Sequence, residues 1–141
     1  MADKTSPSGV IFICDYRGIV KQTVFCEAEE SSWITEGESF LKHLDNSSRE
    51  KAVGFLLDIH HRKLVRECEL AISCNELNAT MLFAGGYLEN DILIIAVPVG
   101  MQFASLYEEL LKMNNEHVNA YRESIKNIFS EHTQDQNIQG E

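Results

Sequence analysis

With 141 residues and 44% of them hydrophobic, this chain can bury one core and carry short appendages. Its formal net charge of −10 argues against a nucleic-acid backbone or an anionic membrane as partner. The four cysteines (Cys14, Cys26, Cys68, Cys74) show no C-x-x-C and no metal-finger spacing, so they read as reduced structural thiols and no metal site is expected.

Residues 1–8 are small and polar, a flexible lead-in without the apolar core of an export signal. No apolar run reaches the length needed to span a bilayer, so the chain is expected in the cytoplasm. Val10–Cys14 is a strand rich in β-branched and aromatic residues. Asp15-Tyr16-Arg17-Gly18 reads as a tight turn, with Asp15 bonding its own backbone and Gly18 supplying a positive φ. Ile19–Phe25 is the return strand, with Val20, Gln22 and Val24 on one face. Short helical pieces follow at Glu27–Trp33 and Ser39–Leu44. Ser47-Ser48-Arg49-Glu50 offers a capping box that opens a helix over residues 48–63. Its apolar face is Ala52, Val53, Phe55, Leu56, Ile59 and His60. Arg66–Ile72 alternates, with Cys68, Leu70 and Ile72 inward.

The stretch Thr80–Val99 reads as a hairpin. Two apolar runs, Met81–Ala84 and Ile92–Val97, flank a polar connection that contains Gly85 and Gly86. Backbone turn geometry accounts for those two glycines, which lack the context of a phosphate loop. The second run is apolar at every position. A strand with two apolar faces belongs in the middle of a sheet, with material packed on both sides. The order of elements gives an α+β fold: a five-stranded antiparallel sheet with helices on one face, followed by a long C-terminal helix.

That last segment, Gln102–Ile128, contains neither Pro nor Gly. Ala104, Tyr107, Leu111, Asn114, Val118, Tyr121, Ile125 and Ile128 recur at alternating steps of three and four, an a/d seam with a polar Asn in its middle. A helix folded back on its own sheet would show an apolar stripe too. The length, roughly 40 Å at about 1.5 Å per residue, favours a paired coil that makes a homodimer. Residues 131–141 are polar and are expected to be frayed.

The order and lengths of these elements resemble a PAS sensor domain. The likeness rests on Gly9-Val10-Ile11-Phe12-Ile13-Cys14-Asp15-Tyr16-Arg17-Gly18-Ile19-Val20, the short helices, the helix over 48–63 and the three closing strands. It spans residues 9–99. The run from Leu110 to Glu123 is similar to the connector that follows such domains in bacterial or archaeal sensor histidine kinases. The resemblance implies a lead-in at 1–8, a PAS domain at 9–100, a signalling coiled coil at 101–130 and a disordered tail at 131–141. It also implies a sensory or dimerisation module without catalysis, passing a signal through the terminal helix to an output domain, a histidine kinase, in cis or in trans.

Such domains curve around a cavity. Its lining here would be Phe12, Cys14, Leu70, Leu82, Ala84, Ile94 and Ala96 from the strands, Phe55, Leu56 and His60 from the helix, and Trp33 as a lid. So few polar groups favour a closed core over a site for a polar ligand. Some PAS gas sensors bind haem iron through a histidine on this helix, which makes His60 the haem candidate, but a helix-end histidine is also favoured by the helix dipole alone. No cofactor is otherwise expected. The Asn-Cys-Arg-Phe type motif of flavin photosensors is missing, and His117 lacks the acidic, Arg and Pro neighbours of a phosphoacceptor. No residue set supplies a nucleophile with a base, so no catalytic residues are assigned.

Overall fold

The computed structural model describes residues 9–26, 33–74, 77–88, 90–99, 108, 112 and 116–128. Five strands, β1 (Val10–Cys14), β2 (Val20–Cys26), β3 (Leu64–Cys74), β4 (Leu77–Leu88) and β5 (Asp91–Pro98), form one antiparallel sheet in the order β2-β1-β5-β4-β3. A 3-10 turn (Phe40–His43) and helix α1 (Asn46–Arg62) lie between β2 and β3. Helix α2 (Glu116–Ala120) follows β5, and 122–128 are helical beyond a turn at Tyr121.

β5 is central, as its two apolar faces require. It pairs with β1 through Ile94↔Phe12 and with β4 through Ile94↔Gly85. Its alternation divides the protein into two cores. Ile92, Ile94 and Ala96 join Phe12, Phe40, Phe55 and Phe83 on the inner face, under α1. Leu93, Ile95 and Val97 join Ile11, Ile13 and Val24 on the outer face, under Val118, Ile125 and Ile128. Helices therefore cover both faces of the sheet rather than one. The second half of the heptad seam docks on the chain's own sheet: Val118, Ile125 and Ile128 are buried there and Tyr121 packs beside them. In this arrangement those four residues do not offer a free dimerisation seam. The physical reason is that β5 has an outer apolar face of matching hydrophobicity, and burying it intramolecularly requires no partner. The first half of the seam, Ala104, Tyr107, Leu111 and Asn114, lies outside the described residues, as do residues 27–32 of the helical piece expected at Glu27–Trp33 and the tail at 131–141; Trp33 itself is described and is not helical.

Three local expectations are corrected. β2 does not keep one face, because its pairing with β1 slips between Ile11 and Phe12 and again between Ile13 and Cys14. These bulges send Val20 to the inner core and Val24 to the outer one. The N-cap of α1 is Asp45 rather than a capping-box serine. The Asp45 carboxylate accepts from the Ser48 N–H at 2.9 Å. Gly85 and Gly86 are not in the hairpin turn. They sit inside β4, opposite Ile94 and Leu93 of β5.

The 33–45 segment crosses the inner face and is anchored to both edge strands. Near β2, the Val20 N–H donates to the Glu38 carbonyl and the Gly37 N–H to the Val20 carbonyl. Near β3, the Asp45 N–H donates to the Ala71 carbonyl, and the Ala71 N–H donates to Ser48 Oγ at 2.8 Å. Edge groups that would otherwise invite intermolecular pairing are thereby occupied. Between these anchors the segment turns Phe40 and Leu44 into the inner core.

Ser48→Ala leaves the Ala71 N–H without that acceptor and is expected to destabilise the protein by about 1–3 kcal/mol in urea unfolding. The N-cap also makes stability pH-dependent. Hydrogen bonds from the Ser48 N–H, and then from the Ser47 hydroxyl, hold the Asp45 carboxyl below its ordinary range. A lowered folded-state value stabilises at higher pH, and the benefit fades as the carboxyl protonates below about pH 4. Asp45→Asn keeps a capping oxygen without that titration, so its stability should vary less with pH in this range than the wild type's.

Candidate functional site

The middle of the sheet's inner face is covered by buried aromatic side chains. Phe83 stands at the centre of an aromatic cluster. Its ring meets Phe40 stacked at 6.1 Å, Phe55 edge-on at 6.1 Å and Trp33 edge-on at 5.8 Å. Phe12 closes the group against Phe40 at 5.4 Å and Trp33 at 6.2 Å. Tilted and edge-on pairs of this kind add to the energy of area burial alone.

Where the aromatics stop, a groove of about 700 Å³ opens at the end of the sheet that carries the β1–β2 and β4–β5 turns. α1 contributes Val53, Leu56, Leu57 and His60. The β1–β2 turn contributes Tyr16 and Arg17, the 3-10 turn Leu41, and the β4–β5 hairpin Tyr87, Asn90 and Ile92. Leu57 (56% exposed), Val53 (47%) and Tyr16 (73%) are three of the four large hydrophobic residues left exposed among the described residues. Apolar side chains gathered at one concavity mark a binding surface more strongly than the same residues scattered.

The groove carries little uncompensated charge. The Arg17 guanidinium donates to the Asp15 carboxylate at 2.9 and 3.3 Å, and Asp15 also accepts from the Arg17 and Ile19 N–H groups. Burial alone would raise the Asp15 carboxyl; these donors outweigh it and hold the carboxyl below its ordinary value. The Asp15 carboxylate closes the turn that forms one wall by accepting from its own backbone, as the Asp15-x-x-Gly18 pattern implied, and the Arg17 ion pair adds to this. Gly18 has φ +89°, the left-handed backbone the turn needs. On the other wall, the His60 ring lies against Tyr87 at 5.7 Å, and the Lys63 ammonium sits 4.2 Å above the Tyr87 ring centroid. Among the described residues no group of three or more His, Cys, Asp or Glu side chains is placed to hold a metal ion.

The eleven residues proposed from sequence divide three ways. Leu56 and His60 line the groove. Phe12, Cys14, Trp33, Phe55, Leu70, Ile94 and Ala96 belong to the closed inner core. Burial pushes the Cys14 thiol far above its ordinary range, so it stays protonated and behaves as a small hydrophobe. Leu82 and Ala84 point to the outer face instead, because the inward positions of β4 are Met81 and Phe83. The sequence reading placed them one register step off, which reverses every side chain of a strand. His60 and Val53 are exposed rather than part of the buried face of α1, which consists of Ala52, Phe55, Leu56 and Ile59. The paired Leu56-Leu57 was the available signal for the groove. An apolar residue beside the buried stripe has to lie at its solvent edge.

No protein-family model and no curated protein matches the sequence. Solved structures do. The chain is similar to the PAS domain of the RpfR quorum-sensing receptor of Cronobacter turicensis in complex with BDSF, with TM-score 0.55 and 14% identity over 64% of this chain and 93% of that one. The chain has the PAS fold. A second structure of that receptor domain, in complex with C12:0, gives TM-score 0.53 and 12% identity over the same shares of the two chains. A domain of a sensory box sensor histidine kinase/response regulator from Geobacter sulfurreducens gives 0.48 and 24%, over 64% of this chain and 82% of that one. The PAS fold fits what the residues show, a five-stranded antiparallel sheet with a 3-10 turn and then a long helix between β2 and β3, and a groove on the side of that helix.

A filled core and an open groove respond differently to truncation. Phe83→Ala is expected to cost about 3–5 kcal/mol in urea unfolding, whereas Leu57→Ala should stay within about 0.5 kcal/mol.

Proposed function

We propose that this chain is a non-catalytic PAS sensory module that takes up a small, largely apolar molecule in the groove and relays its presence through the terminal helix to an output domain, a histidine kinase. The observation that carries this reading is the groove itself: exposed Val53, Leu57 and Tyr16 around a concavity whose one full cation, Arg17, is already neutralised by Asp15. Desolvating these side chains is the available driving force, at about 25 cal/mol per Å² of apolar surface removed from water. The engagement of the His60 ring by Tyr87, at an open rim, supports an apolar molecule over haem. The similar receptor domains in complex with BDSF and with C12:0 support the same choice and make C12:0 the first probe.

The relay uses the terminal helix. Docking on the sheet occupies Val118, Tyr121, Ile125 and Ile128. Those side chains also belong to the heptad seam, so docking and pairing with a second copy compete for one surface. In this reading a homodimer forms through the seam, with Ala104, Tyr107, Leu111 and Asn114 as its first half, and the balance between docked and paired helix is what an output domain reads. An equilibrium of this kind moves only as far as the ligand's preference for one state over the other.

Displacement of an environment-sensitive dye by C12:0 tests the groove. C12:0 should bind the wild type, and Leu57→Asp, which sets a carboxylate beside the apolar body, should weaken it about tenfold or more, or about 1.4 kcal/mol. Equal binding by the two proteins would move the site elsewhere. Light scattering tests the seam: Leu111→Glu is expected to give monomers, and dimers that persist would remove the coil from the mechanism.

A further inference from the structure

We propose that Gly85 and Gly86 form a mechanical coupling between α1 and the terminal helix, through the thickness of the sheet. Consecutive strand residues face opposite sides. A Cβ on Gly85 would come within 2.6 Å of Ile59 Cδ1 and 3.4 Å of Phe55 Cζ, both on α1, and 3.2 Å from the Leu93 carbonyl oxygen. A Cβ on Gly86 would come within 3.2 and 3.4 Å of Ile128 Cγ1 and Cδ1 in the terminal helix. At this point no β4 side chain separates the backbone from a helix on either face. One residue earlier Ala84 faces the outer core, and before it Phe83 faces the inner one.

The strand is held firmly where it is thinnest. Gly85 and Gly86 pair with Ile94 and Leu93 of β5 on one side and with Val65 and Leu64 of β3 on the other. The next residue, Tyr87, donates its N–H to the Lys63 carbonyl at 3.0 Å, which ties the C-terminal end of α1 to β4. Lys63 itself is in the left-handed region at φ +73°, and its N–H donates to the Ile59 carbonyl at 2.7 Å. Glycine is the usual residue for that backbone, so the end of α1 is kept in a conformation that a lysine adopts at a cost. Ile59 lies next in sequence to His60 and one turn from Leu56, two of the groove residues. A displacement of α1 at the groove therefore reaches Ile59, cannot be absorbed by a β4 side chain, and moves the backbone against which Ile128 rests. Packed interiors transmit such shifts because they have no slack.

This inference rests on the groove being the input site, but its test needs no ligand. Hydrogen exchange is measured separately on α1 (46–62) and on 116–128, with β1 amides as an internal control for global stability. Gly85→Ala adds a methyl on the α1 side only, yet it should change exchange at 116–128 about threefold or more relative to β1, the size of a modest coupling energy. Gly86→Ala adds one on the other side and should change exchange in α1 by a similar factor. Shortening the opposing side chain, with Ile59→Val in the first variant, which removes Cδ1, and Ile128→Ala in the second, which removes Cγ1 and Cδ1, should return the far helix toward wild type. Ile59→Val alone supplies the same test if Gly85→Ala does not fold, and it should shift exchange at 116–128. Effects confined to the near helix, or equal acceleration of β1, overturn the coupling. Failure of C12:0 to bind with the cross-face effect intact counts against the ligand reading only. Binding of C12:0 without a cross-face effect overturns the coupling only.

Discussion

The burial of β5 on both faces governs this structure. Ile92, Leu93, Ile94, Ile95, Ala96 and Val97 are all within 2% of complete burial. A strand in that state needs paired neighbours along both edges and an apolar cover above and below. The neighbours are β1 and β4. The covers are the crossing segment with α1 on one side and the terminal helix on the other. Both cores hang on one strand, each taking alternate side chains of β5.

The inner face is not uniformly packed. Five aromatic rings pack against one another in its middle. The opening lies at the end where β1, β2, β4 and β5 turn, and where α1 presents Leu57 beside Leu56. Rigidity and accessibility are thus separated along the same helix. The buried residues Phe55 and Ile59 fix α1 to the sheet, while Val53, Leu57 and His60 face the groove. The exposed side of α1 thus belongs to an element whose other side is locked into the core.

Much of the architecture was legible in the residues. The five strands, their order along the chain, the long internal helix and the central place of Ile92–Val97 all follow from alternation and periodicity, because burial on one face or two leaves a direct mark on the sequence. The Asp15 to Gly18 turn was legible for a local reason: its hydrogen bonds close within five residues. The errors have a common cause. The bulges in β2, the register of Leu82 and Ala84, and the in-strand position of Gly85 and Gly86 depend on what lies across the sheet. Glycine in a turn and glycine under a helix look alike in sequence. Only the approach of Ile59 on one side and Ile128 on the other tells them apart.

The terminal segment marks the boundary most clearly. Its sequence by itself determined an amphipathic helix, since Val118, Tyr121, Ile125 and Ile128 share one stripe whatever they meet. It did not determine the partner, because a heptad stripe is a statement about period and hydrophobicity, which a second helix and an apolar sheet face satisfy equally. The tertiary structure decided that for 116–128, setting the stripe on Ile11, Ile13, Leu93 and Ile95. The site divides in the same way. Apolar residues toward the helix side of the sheet were determined by sequence. Whether they close into a core or open into a groove was decided by the crossing of the 33–45 segment, which seats Trp33 and Phe40 over one part of the inner face and leaves the other part uncovered.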